Sequence, residues 1–185
     1  MKKATLTVVI AAVAAFSVFS QDKSEPNAST KLEAFDTKAG TVIVEGFSTI
    51  GSVKGRYGST VEITSKEFTD ASTGAKEYGI TVALKEPGRE HISYVDFDEI
   101  DPLIKGIDYL AKVDKSATKL DSFQADYRTK SDLDLSTYLE DGGKVQASIK
   151  SGSFSAPIVF LTLDDLAQIK SLILKAKAKL DAIKK

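Results

Sequence analysis

From Lys31 onward the apolar positions recur first every second residue, then every third or fourth, and then the same sequence of periods repeats. Val42 to Val44 form a short apolar run after the Ala39-Gly40 turn. Val61 and Ile63 alternate with Glu62, Thr64 and Lys66, and Tyr78, Ile80, Val82 and Leu84 alternate with Thr81, Ala83 and Lys85. A period of two sends successive side chains to opposite faces, so these segments read as strands with one buried and one wet face. Antiparallel sheets tolerate that arrangement and parallel sheets rarely do. Residues 71–76 and 86–91 carry Ser, Thr, Gly and Pro and read as turns.

After Phe97 the period changes. Ile100, Leu103, Ile104, Ile107 and Leu110 follow the spacing of a helix with one apolar stripe. Pro102 suits the first helical position with Asp101 as cap, which predicts a helix over 102–111 entered through a turn at 98–101. Strands return over 123–129, 133–138, 145–149 and 157–162, with a hairpin turn at Gly142-Gly143. A second helix places Leu166, Ile169, Ile173, Ala176, Leu180 and Ile183 on one stripe, and Thr162 with Asp165 forms a capping pair at its start. At 1.5 Å per residue this helix reaches about 30 Å. That exceeds a typical strand of about 20 Å, so its last turns are expected to overhang the sheet and meet another subunit.

Laying Asp98-Glu99-Ile100 over Asp164-Asp165-Leu166 also brings Leu103 over Ile169 and Ile107 over Ile173. The reading is an α+β protein of two antiparallel sheet-plus-helix units in tandem, a pseudo-duplication over 31–116 and 117–185. Each helix can hide its stripe only against its own sheet or its partner helix, so the halves are expected to share a core.

The segment ahead of this pattern changes the picture. Residues 1–20 carry Lys2 and Lys3, an apolar stretch from Val8 to Phe16, and small residues at Val18 and Ser20, the grammar of a secretory signal peptide cleaved before Gln21. The apolar run is shorter than a spanning helix requires, so no transmembrane segment is expected after cleavage. No Cys follows it to carry a lipid. Residues 21–30 lack Phe, Leu, Ile and Val and read as a flexible leader. The expected location is therefore outside the cytoplasm, periplasmic or extracellular.

Composition mainly excludes. The 185 residues hold 25 Lys+Arg against 26 Asp+Glu, no Cys, no Trp and one His. That rules out a disulfide scaffold, a thiolate metal site and a cysteine nucleophile. Loss of Lys2 and Lys3 with the signal leaves a mildly acidic chain without the positive field of a general nucleic-acid binder.

Several phrases together resemble a family of exported bacterial proteins of uncharacterised function: KLEAF at 31–35, GTVIVEGF at 40–47, the stretch from Tyr94 through Leu133 with DEID, LIKGIDYLAKVD and TKLDSF, and AKAKLD at 176–181. The resemblance spans most of the chain after the signal and implies export, but no activity, ligand or catalytic residue. Strands followed by a helix, twice over, is also similar in architecture to the single-stranded nucleic-acid-binding Whirly and PUR folds. Architecture does not carry function, and no basic, aromatic-interleaved strand face supports that one here.

Candidate chemistry is sparse. His91 falls in the polar stretch EPGREH and reads as a solvated turn residue. Ser116 and Lys119 form S-x-x-K without the companion motifs of penicillin-recognising enzymes. Asp96, Asp98, Glu99 and Asp101 could offer oxygens to a hard cation, although acids also gather at helix starts for the dipole's sake; they are the weak metal candidates, and no metal or other cofactor is expected. Lys170, Lys175, Lys177, Lys179, Lys184 and Lys185 line the last helix, as a solvated face or as contacts for anionic lipid or single-stranded nucleic acid. The glycine-punctuated stretch 46–58 lacks a phosphate-binding fingerprint and reads as bends between strands, with Lys54, Arg56 and Tyr57 on an exposed loop as the first candidate contact patch.

The expectation is a non-enzymatic binding or interaction module of the bacterial cell envelope, acting on an envelope protein or a small ligand as a monomer or dimer. The competing readings are a small hydrolase with carboxylates assembled by folding and a lipid or nucleic-acid binder acting through the lysine-rich helix.

Overall fold

The computed structural model describes residues 29–152 and 155–184. The signal segment 1–20 and the leader up to residue 28 lie outside the described residues. The end of the leader is revised, because Thr30 is buried and caps a short helix, α1 (Lys31–Asp36), by accepting the Glu33 N–H at 3.1 Å.

Four antiparallel strands follow in sequence order: β1 (Ile43–Lys54), β2 (Thr60–Asp70), β3 (Lys76–Glu86) and β4 (Arg89–Asp96). Two of them run further than the pattern predicts. β1 continues from the Val42–Val44 run through Gly46 and Gly51, where the sequence suggests bends, and takes up only a bulge between Thr49 and Gly51. β4 begins at Arg89, so Arg89, Glu90 and His91 belong to a strand, and the turn shrinks to Pro87-Gly88 with Gly88 at φ 78°. Both strands lie at sheet edges, where solvent-facing positions need no apolar side chain. Between β2 and β3 the Asp70 carboxylate organises the turn. It accepts from Ser72 N at 2.8 Å, Ser72 Oγ at 2.6 Å, Thr41 Oγ at 3.0 Å and the Lys38 ammonium at 2.5 Å.

After a turn at Phe97–Glu99, α2 (Ile100–Leu110) starts earlier than predicted. Pro102 sits in its first turn, where its missing N–H removes no helical bond. Asp101 makes no capping bond; it is exposed on that turn. The second sheet, β5 (Gln124–Arg128), β6 (Leu133–Leu139), β7 (Val145–Ser151) and β8 (Ile158–Leu161), matches the predicted strands closely. α3 (Leu163–Ile183) opens with the predicted capping box: Asp165 N donates to Thr162 Oγ at 3.1 Å and Thr162 N to Asp165 Oδ2 at 2.9 Å.

One hydrophobic core joins both sheets and both long helices. Of the two expected partners, own sheet or partner helix, the second is met, since α2 packs on α3. Each helix nevertheless lies chiefly on the other unit's sheet rather than on its own. α3, which follows the second sheet, lies along β1, β2 and β3 of the first, while α2, which follows the first sheet, lies on β5 and β6 of the second. The cause is where each helix departs. β8 borders β3, so the chain leaving it at Thr162 passes directly onto the first sheet. Close approaches mark both contacts: Ser65 Oγ on β2 donates to the Ala176 carbonyl on α3 at 3.3 Å, and a Cβ on Gly106 of α2 would stand 2.4 Å from Cδ2 of Tyr127 on β5. Strands of 11 and 12 residues reach about 36–40 Å at 3.3 Å per residue, so α3 fits on its sheet, with Leu180 still buried near its end. The expected overhang is absent. No described helix is long and apolar enough to cross a membrane.

Candidate functional site

The second sheet has one face in the core and one in solvent. Leu133, Leu135, Ile149 and Val159 point inward under α2 and α3, and strict alternation sends their neighbours outward. The register sets these neighbours in rows across the strands: Arg128, Asp134, Lys150, Ile158; then Asp126, Ser136, Ser148, Phe160; then Gln124, Tyr138, Gln146. Eight of these residues line a shallow cleft of about 470 Å³.

The polar groups of this face already form a network. Arg128 grips Asp134 with two bonds, Nε to Oδ1 at 2.5 Å and Nη2 to Oδ2 at 2.8 Å, and this hydrogen bonding with the Asp134 charge raises the guanidinium pKa further. Asp126 Oδ1 accepts from Gln124 Nε2 at 2.8 Å and Ser136 Oγ at 2.6 Å. Two carboxylates face two cations, so the cleft carries no net charge. It offers donors and acceptors side by side.

The turn between β1 and β2 rises beside this face. Gly55 N donates to Ser59 O at 2.9 Å to close it, and Gly55 itself fits closely against β8, where a Cβ would come 2.3 Å from Val159 Cγ1. Tyr57 adopts the left-handed conformation at φ 59°, ψ 30°, which costs a side chain with a Cβ about 1–2 kcal/mol. Its ring is 81% exposed and meets Phe160 edge-on at 6.2 Å. Arg56 Nη1 reaches Glu140 Oε1 at 3.4 Å, and Glu140 Oε2 accepts from Gln146 Nε2 at 3.2 Å. Of the predicted patch, Arg56 and Tyr57 are thus tied to the second sheet, whereas Lys54 closes β1 opposite Thr60; none of the three lines the cleft itself. The sheet face itself was not singled out from sequence. Its alternation was visible; its lack of a covering helix was not.

Three of the four acids near α2, Asp96, Asp98 and Glu99, gather around the Lys130 ammonium at 3.8–3.9 Å, and each also has a bond of its own. Asp96 is buried and accepts the α1 N–H groups of Lys31 at 3.1 Å and Leu32 at 3.0 Å. Asp98 pairs with Lys31 at 3.2 Å and Lys130 at 3.9 Å. Burial works to raise its pKa, but the Lys31 hydrogen bond and the Lys130 charge outweigh it and hold the carboxyl below its ordinary value. Glu99 Oε1 accepts from Lys130 N at 3.1 Å, while its buried Oε2 has only the Lys130 ammonium at 3.8 Å. Asp101 faces Lys177 at 3.8 Å. Lysines occupy the place a cation would take, and the described residues contain no metal-ligand cluster.

His91 is not a free turn residue. Its Nδ1 lies 2.7 Å from Ser151 Oγ, which lies 2.5 Å from Ser93 Oγ, across the seam between β4 and β7. Both serines are completely buried, so the contact joins the sheets and presents no hydroxyl to a substrate. Ser116 turns its hydroxyl to Asp114 at 2.6 Å. On α3, Lys170 pairs with Asp108 at 2.5 Å, and Lys177 and Lys184 stand over the Phe97 ring at 5.4 and 3.8 Å. These lysines serve internal contacts. Lys175 and Lys179 are exposed, and Lys185 lies outside the described residues. No protein-family model, no curated protein and no solved structure matches the chain.

Proposed function

We propose that the protein is a non-enzymatic binding module exported to the bacterial cell envelope, and that it holds a neutral, hydroxyl-rich ligand, of the glycan class, on the outer face of the second sheet. The observation that carries this reading is the charge-balanced cleft of Arg128, Asp134, Lys150 and Asp126, with the exposed Tyr57 ring against Phe160, the strand partner of the cleft residue Ser148. A sugar ring presents hydroxyls that both donate and accept, and Asp, Gln, Arg and Ser at fixed spacing meet both needs. Its flat C–H face suits an aromatic ring such as Tyr57 or Phe160. Arg56 and Tyr57 are the proposed contacts beyond the cleft, with Lys54 at the flank. Export rests on the grammar of residues 1–20 and on the resemblance to exported bacterial proteins.

Binding is favoured over hydrolysis because Asp126 and Asp134 are each committed to neighbouring donors. A general acid or base needs a carboxyl within reach of a substrate proton. Amide chemical-shift mapping against a panel of neutral soluble oligosaccharides tests the proposal. Shifts centred on Ser136, Ser148, Phe160 and Tyr57, removed by Ser148→Trp, are the expected result. Shifts confined to the acidic cluster or to α3, or none with any sugar, count against it.

A further inference from the structure

The two sheets have four edges, and three of them are blunted. β4 carries Arg89, Glu90 and His91, and its Tyr94 N–H is taken by Ser131 Oγ at 3.3 Å. β5 is five residues long and holds Asp126 and Arg128. β8 is four residues long, follows Pro157, and gives its Ile158 N–H to Glu86 Oε1 at 2.8 Å. Short strands, charges, proline and capped N–H groups are the usual guards against edge-to-edge pairing. β1 is the least guarded, with one charge at Glu45, one at its last residue Lys54 and a bulge between Thr49 and Gly51. It is 12 residues long, Glu45 is the single charged residue between Thr41 and Val53, and among the described residues nothing pairs with its outer edge. Val44 is 55% exposed and Phe47 67%.

We infer that β1 is the interface with a second copy of this chain, the two β1 strands pairing antiparallel about a two-fold axis at Gly46. The regular part of β1, Ile43–Thr49, ends at the bulge and is centred on Gly46. Pairing about that centre sets Ile43 opposite Thr49, Val44 opposite Ser48 and Glu45 opposite Phe47, and it keeps every pair on one face of the joined sheet. Two features make this edge complementary to itself. On the outer face Lys66 stands 5.2 Å from the centre of the Phe47 ring and pairs with Glu45 of its own chain. Glu45 of the other copy, arriving opposite Phe47, meets the same ammonium, so no like charges face each other. On the α3 face a cleft of about 230 Å³ lies among Gly46, Ser48, Leu180 and Ile183. Val44 of the other copy, arriving opposite Ser48, enters it. The result is one continuous eight-stranded sheet with Val44 and Phe47 of both copies at its joint.

This inference is independent of the ligand proposed above, since the second sheet's outer face takes no part. It is tested on the intact protein by sedimentation equilibrium and by a single introduced thiol. A Cβ on Gly46 meets nothing closer than 3.8 Å, so Gly46→Cys fits, and in a chain without other cysteines its thiol can bridge only to another copy. Residues opposite each other at the axis have Cα atoms about 4.5–5.5 Å apart, within disulfide reach. The expected results are a twofold mass, rapid oxidation of Gly46→Cys to a linked dimer ahead of a Leu174→Cys control on the exposed side of α3, and a dissociation constant raised at least about tenfold by Val44→Lys but not by Leu174→Lys. A single-copy mass at every concentration overturns the inference. So does a Gly46→Cys thiol that oxidises no faster than the control, or a Val44→Lys chain that is folded by circular dichroism and dimerises as well as the wild type.

Discussion

The Asp96 carboxylate lies 3.0 Å from the Leu32 backbone nitrogen, although 64 residues separate the two in sequence. It supplies the acceptor that the first turn of α1 lacks, and Leu32 then packs without exposure beside Gly79. Helices this short are marginal alone, so α1 depends on that carboxylate together with its Thr30 cap. Asp96→Ala leaves buried donors unpaired and is expected to cost about 1–3 kcal/mol, read from urea denaturation. Asp98→Ala, at an exposed pair, should cost less than about 1 kcal/mol.

Asp70 sets the acid sensitivity of the β2–β3 turn. The Lys38 ammonium and then the Ser72 hydroxyl hold its carboxyl well below the usual carboxylate range. A lowered pKa in the folded state means that its stabilisation is fully present above the unfolded value of about 3.9 and is lost as pH falls below that value toward the folded one. Thermal unfolding of the wild type should therefore fall steeply below about pH 4, and Asp70→Asn should flatten that slope while lowering stability at neutral pH.

Gly106 is where α2 meets the second sheet most tightly, with the Tyr127 ring against its Cα. Gly106→Val forces the ring aside and is expected to cost about 1–3 kcal/mol despite the better helix propensity of valine. Gly106→Val with Tyr127→Ala should recover part of that loss, a coupling that a double-mutant cycle on denaturant midpoints reads directly.

Tyr57 separates stability from the proposed binding role. Glycine adopts its left-handed backbone without penalty, so Tyr57→Gly is expected to leave the fold equally stable or up to about 1 kcal/mol more stable. The same change removes the exposed ring beside Phe160. Weaker oligosaccharide binding with an unchanged or raised melting temperature is the predicted pair of outcomes.

The exchanged helices tie the two halves into one unfolding unit. Fragments divided between residues 114 and 115 should each be unfolded alone by circular dichroism, since each keeps a sheet and loses the helix that covers it. Mixed together they should regain the spectrum of the intact chain. A cooperative melting transition in either fragment alone contradicts this.

Local chemistry was legible from sequence wherever neighbours in the chain decide it. The alternation in β2 and β3, the placing of strands β5–β8 between their breaks, the apolar stripes of α2 and α3, and the Thr162–Asp165 capping box all fall in that class. What escaped was decided at long range. Gly46 and Gly51 read as breaks because a strand at a sheet edge can carry residues that an interior strand cannot. His91 is exposed as read, but its place on a strand and its contact with Ser151, 60 residues away, escaped. Asp96, Asp98 and Glu99 stay together in the fold because Lys130, 31 residues beyond Glu99, stands among all three, and only Asp101 turns away, to Lys177. The open sheet face could not be read at all, since which helix covers which sheet is a matter of topology.

That crossing of helices gives the segment between α2 and β5 a role beyond spacing. A lone unit of four strands and one helix could cover its sheet only by borrowing the helix of an identical neighbour while lending its own, and such a pair would come apart on dilution. Joining the two units in a single polypeptide makes the reciprocal loan permanent and independent of concentration. It also lets the two units differ, so that one sheet can keep an open polar face while the other retains a bare edge.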